Sequence, residues 1–67
     1  MNVEEMKLGV LRVPLLGARI GTTVQVARGT VHVHGLSWVT FEVIIPGVGV
    51  YTLPSKNALP RYVAILE

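Results

Sequence analysis

His32 and His34 come closest to chemistry by type and spacing. Two positions apart on a strand, they would point the same way. Two imidazoles supply nitrogen ligands, but a metal site takes three or four. The chain has no cysteine. Glu42 is the only carboxylate nearby, on the strand that would return beside the pair, where it would share their face. A third ligand would have to come from a second copy. The spacing therefore predicts the polar face of a strand, with no metal and no cofactor. Catalysis is not expected either. The chain has no aspartate, and its two serines, Ser37 and Ser55, fall in expected turns. No nucleophile, base and orienting third group come together. Gly47-Val48-Gly49 lacks the lysine and the following helix of a phosphate-binding loop.

Two other sets of residues point to binding. Trp38 opens a strand on the side opposite Val39 and Phe41. With those two in a core, Trp38 faces outward beside Thr40 and Glu42. A large outward aromatic anchors an interface, packs as a second apolar layer under the Leu15–Gly21 loop, or stacks on a nucleic-acid base. Trp38, Thr40, Tyr51 and Leu66 are the candidate contact residues of an interface. Arg19, Arg28, His32, Lys56 and Arg61 are the alternative set, placed to touch phosphates. The net charge is +2 and no two basic residues are adjacent, so there is no clustered footprint of the kind that marks a nucleic-acid-binding face.

The elements that would carry these residues are strands. Thr30 to Val43 alternates apolar and polar residues on both sides of a short Gly/Ser corner, which predicts a hairpin. Val31 and Val33 fall on one face of the first arm, with Thr30, His32 and His34 on the other. Lys7–Val13 reads as a strand ended by Pro14. Leu15–Gly21 reads as a loop whose Leu15, Leu16 and Ile20 plug the core. Thr22–Ala27 alternates again, and Gly29 marks either a tight turn or, the favoured reading, a bulge in one long bent strand. Pro46-Gly47 marks a turn and Val48–Leu53 a fourth strand. Pro54–Pro60 suits a single 3₁₀ turn, and Tyr62–Leu66 a last strand. The expected fold is all-β: a small barrel of five to six strands with one 3₁₀ turn before the last.

That order resembles the SH3-like barrel superfamily. The resemblance rests on the hairpin carrying Trp38-Val39-Thr40-Phe41-Glu42, the turn at Pro46–Gly49, a strand, a one-turn helix, and the terminal Arg61-Tyr62-Val63-Ala64-Ile65-Leu66. It covers residues 22–67. The same stretch is similar to the C-terminal dimerisation domain of plasmid partition and repressor proteins of the ParB type, which would imply a homodimer. Two SH3-like functions fit poorly. Proline-peptide recognition needs an acidic loop and an aromatic-rich groove, whereas the loop before Thr22 is basic and aliphatic. The pore strand of plasmid-borne type II dihydrofolate reductases has only a partial echo in Val24-Gln25-Val26.

Composition sets the bounds. Sixty-seven residues make one domain, residues 1–67, with 1–6 as an N-terminal arm or helical turn. Apolar residues make up 51% and charged residues 15%, against a usual charged share of ~25%. A barrel this thin cannot enclose so many apolar side chains, and large exposed apolar patches are uncommon on monomers. The surplus predicts self-association as a homodimer or higher oligomer. Another protein or a nucleic acid is the alternative partner. No apolar run nears the ~20 residues of a membrane span, and Met1–Glu5 does not read as a signal peptide. A cytoplasmic protein with no membrane partner is expected.

Overall fold

A computed structural model describes residues 6–66 of the chain. The expected N-terminal helical turn falls mostly on residues 1–5, outside the described residues. The described chain is mostly β-structure. Its strands are β1 (Lys7–Leu11), β2 (Thr23–Val33), β3 (Leu36–Ile45), β4 (Gly49–Leu53) and β5 (Val63–Ile65). One short helix, α1 (Leu59–Tyr62), precedes β5. The strands form a single antiparallel sheet in the order β4-β3-β2-β1-β5. Among the described residues no ladder joins β4 to β5. The sheet is therefore not closed, where a small closed or half-closed barrel was expected. Strand length is the reason: β2 and β3 have 11 and 10 residues, whereas β1, β4 and β5 have 5, 5 and 3. The short strands can flank only half of the central hairpin.

The hairpin pairs without interruption from Gln25–Ile44 to Val33–Leu36. The expected bulge at Gly29 does not form, because Gly29 sits directly opposite Thr40. The corner is also tighter than expected. His34 and Gly35 alone make the turn, with φ of 51° and 77°. Positive φ at both central residues is the two-residue turn whose twist matches that of the flanking strands. Leu36 and Ser37 consequently belong to β3. A second turn of this kind, at Leu16-Gly17 (φ 51° and 86°), closes a small bridge between Leu15 and Ala18.

The core lies on one face of the lower half of the sheet. Leu11, Val24, Val26, Val43, Ile45, Leu53 and Val63 are buried there, and Leu15 and Ala18 cover them from the β1–β2 loop. Of the three loop residues expected in the core, only Leu15 enters it. Leu16 occupies the tip of its turn and Ile20 lies on the surface, both exposed. Tyr51 and Tyr62 close the side of the core, their ring centroids 5.8 Å apart. Residues 55–61 carry backbone bonds from Ala58 to Ser55, Leu59 to Lys56 and Arg61 to Ala58. These i→i+3 bonds are the tight winding expected between the two prolines, and they run straight into α1. Arg12 clamps that segment by donating to the Pro60 carbonyl. No helix among the described residues is long and apolar enough to cross a membrane.

Candidate interaction surface

An unbroken β2 has a consequence for its side chains. Along a strand, alternate residues face opposite sides of the sheet. Val24 and Val26 point into the core, so Arg28, Thr30 and His32 share their face. Val31 and Val33 have the other parity and emerge on the outer face. Across the hairpin, Val31 pairs with Trp38 and Val33 with Leu36, which brings all four onto that outer face. The apolar pattern of the hairpin thus changes sides at Arg28-Gly29. Its lower half is apolar toward the core and its upper half toward solvent.

Among the described residues, no other strand pairs with that upper half. Lys7 of β1 reaches only as far as Val26, and Leu53 of β4 only as far as Phe41. Pro54 follows β4 at once and cannot extend the ladder. From Ala27 to Thr40 the chain is a two-stranded ribbon, and such a hairpin on its own is marginally stable in water. Trp38 and Val33 are each 43% exposed and Leu36 is 68% exposed. Lower on the same face, Leu8, Ile44 and Val50 lie in one row across β1, β3 and β4, with Gln25 between them. Leu8 and Val50 are exposed.

Parity also decides where the backbone groups of the ribbon point. The pair flanking a two-residue turn is hydrogen-bonded, so Val33, Val31 and Gly29 bond to β3. Arg28, Thr30 and His32 then direct their N–H and C=O groups away from β3. The bond from the Leu11 amide to the Thr22 carbonyl, at 3.0 Å, fixes the same parity on the β1 side. Among the described residues, nothing pairs with Arg28, Thr30 or His32 on that edge. An edge of this kind is usually blunted by lysine, proline or a bulge. Here Arg28 is the only charged residue from Ala27 to Val33.

The candidate residues from the sequence divide accordingly. Trp38 lies on the exposed ribbon, paired with Val31. Its reading as a second layer beneath the Leu15–Gly21 loop is excluded. That loop lies at the other end of the sheet, where Leu16 meets Gly49, the partner of Ile45. Seven residues of β3 separate Ile45 from Trp38, about 23 Å of strand. Thr40 faces outward too but is only 3% exposed. The Glu42 carboxylate reaches over neighbouring Gly29 and helps to enclose it. Tyr51 is half-buried against Tyr62, and Leu66 is exposed just past β5. Val31, Val33 and Leu36 were not among the expected contact residues. Their signal was the change of parity between Val26 and Val31.

The histidine pair does not form. His34 is a turn residue with positive φ and leaves the strand after His32. Glu42 pairs with Ala27 and so lies on the face opposite His32, not beside it. Among the described residues no group of three or more metal-binding side chains comes together. The basic residues are dispersed. Arg19 lies in the β1–β2 loop and Arg61 in α1, both exposed. Arg28 and Lys56 share one site. They line an open cleft of about 420 Å³ with Val39, Phe41 and Ser55. His32 is on the same face as Arg28, four residues farther along β2 and about 13 Å away.

No protein-family model, curated protein or solved structure matches the chain.

Proposed function

We propose that the protein is a non-catalytic self-assembly module, a symmetric homo-oligomer whose contact is the outer face of the hairpin arm. One observation carries this reading: an uncovered ribbon whose solvent side is Val31, Val33, Leu36 and Trp38. A protein core would bury such a set, and a second apolar surface would cover it equally well. The strand order, with a final strand returning beside β1, fits the SH3-like meander and supports reading the sheet as a half-open barrel of that class. In that reading the arm is its elongated central hairpin. Light scattering coupled to size exclusion tests the function directly. A dimer or larger species at micromolar concentration, with the same mass in low and high salt, is the expected result. A monomer at both salts refutes it.

The cleft supplies a second reading, nucleic-acid binding. Two cations, Arg28 and Lys56, converge there beside the Phe41 ring, the combination that holds a phosphate next to a stacked base. Retardation of single-stranded DNA or RNA at low salt, lost in Arg28→Ala and Lys56→Ala and lost steeply as salt rises, would establish it. Absence of retardation at low salt rejects it.

A further inference from the structure

The edge of β2 from Arg28 to His32, unpaired among the described residues, is complementary to itself. We propose that two copies join edge to edge through β2, antiparallel about a two-fold axis at Val31, so that both sheets run on as one. This rests on the self-assembly reading and adds an edge contact to the face contact: pairing lays the outer faces of two arms side by side as one apolar surface, Trp38 included, which further copies then cover. Three features of the strand fix the register. The hydrogen-bonding groups come first: Thr30 and His32 present theirs outward, and an axis at Val31 places Thr30 opposite the copy's His32 and His32 opposite the copy's Thr30. Each of these pairs exchanges two backbone bonds. Room is the second feature. β1 already occupies the edge up to Val26. With the axis at Val31, the copy's turn residue His34 falls opposite Arg28 and stops short of β1. An axis at Thr30 would bring the copy's Val33 opposite Ala27, directly against the start of β1.

Side-chain complementarity is the third feature. On the outer face, Val31 meets the copy's Val31 at a non-hydrogen-bonded pair, where side chains approach most closely. Trp38 lies opposite Val31 within each subunit. The row across the axis then reads Trp38, Val31, the copy's Val31 and the copy's Trp38. In the next row, Val33 faces the copy's Gly29, so a branched side chain meets a position with none. On the inner face, Thr30 meets the copy's His32, and no two residues of like fixed charge oppose each other. Gly29 thereby gains a role beyond the subunit.

Cysteine placement tests the register, because the chain has no cysteine of its own. A non-hydrogen-bonded antiparallel pair sets its Cα atoms about 4.5 Å apart, within the range a disulfide spans. Val31→Cys should therefore convert to a covalent dimer under mild oxidation. Thr30→Cys and Val33→Cys should not, because the offset along the strand and the spacing between strands together put their equivalent Cα atoms more than ~7 Å apart. A mixture of Thr30→Cys and His32→Cys should cross-link as a heterodimer. A dimeric wild type in which Val31→Cys fails to cross-link, or in which Thr30→Cys cross-links in its place, overturns the register and leaves self-assembly standing. A monomeric wild type overturns both.

Discussion

Replacing Trp38 with alanine separates an interface from a merely greasy surface. An indole side chain offers up to ~250 Å² of contact area. Trp38 is 43% exposed, so about 110 Å² remains for a second molecule to cover. At ~25 cal/mol per Å² this is about 2.7 kcal/mol per subunit, counted twice in a symmetric dimer. Imperfect packing against the copy reduces the figure, so a weakening of dimerisation by at least about a hundredfold is expected, which is ~2.7 kcal/mol in total. The subunit should survive. The cross-strand pair with Val31 contributes only ~0.2–1 kcal/mol, and Trp38 is not part of the core cluster. Sedimentation velocity over a dilution series measures the dissociation constant. Ile20→Ala is the control: Ile20 is 64% exposed, more than Trp38, but lies in the loop at the opposite end of the sheet. Equal dissociation constants for wild type and Trp38→Ala would refute the reasoning. An equal loss in Ile20→Ala would show that surface hydrophobicity in general, and not the arm, drives association.

Three further outcomes follow from the packing. A Cβ on Gly9 would lie 2.5 Å from Val63 Cγ1 and 2.9 Å from the Ala64 carbonyl oxygen, so Gly9→Ala must push β5 away from β1. Thermal unfolding should show a loss of about 1–3 kcal/mol, whereas Gly29→Ala, which meets only the ends of Thr40 and Glu42 side chains, should cost clearly less. His34→Asn should raise the melting temperature slightly, because asparagine tolerates positive φ better at the first position of this turn, and His34→Val should lower it. Leu53 is fully buried and Leu36 is mostly exposed. Leu53→Ala should cost about 2–5 kcal/mol in denaturant unfolding, and Leu36→Ala should leave monomer stability nearly unchanged while weakening assembly.

Periodicity made the strands legible, and its limits explain what was not. The β-rich class, the hairpin, the turn at Pro46-Gly47 and the tight winding before α1 were each written in local signals. Which face each arm buries was not. Alternation defines two faces within a strand but does not say which face meets which across a turn. That depends on whether the corner holds two residues or three. His34 carried no turn signature of its own, and its alternation with His32 suggested a longer strand and a paired site. Two residues in the turn send Val31 and Val33 to the side of Trp38, and Val39 and Phe41 to the side of the core. Gly29 misled in a similar way. A glycine between two alternating runs suggested a bulge that turns a barrel corner, and the chain instead keeps its register and shows two apolar faces. Closure of the barrel was beyond local reading, because it depends on the relative lengths of strands far apart in sequence.

The two faces also account for the arm itself. A bulge at Gly29 would have shifted Val31 and Val33 to the core side and curled the hairpin over, as in a closed barrel. The unbroken strand leaves them outside, along an edge that carries one charge and no proline. A ribbon whose edges find no partner strand among the described residues, with an apolar side in water, gains little from its own hydrogen bonds and loses conformational entropy in forming. Its order therefore has to come from what it touches. If that is a second arm, folding of the ribbon and association are one equilibrium, and the melting temperature must rise with protein concentration. The lower half, with its own core, need not share that dependence. Two transitions, an early one that moves with concentration and is seen through Trp38 fluorescence, and a later one that does not move and is seen through the tyrosines, would show the division directly. A single transition independent of concentration in both signals would mean that the arm is ordered by its own subunit alone.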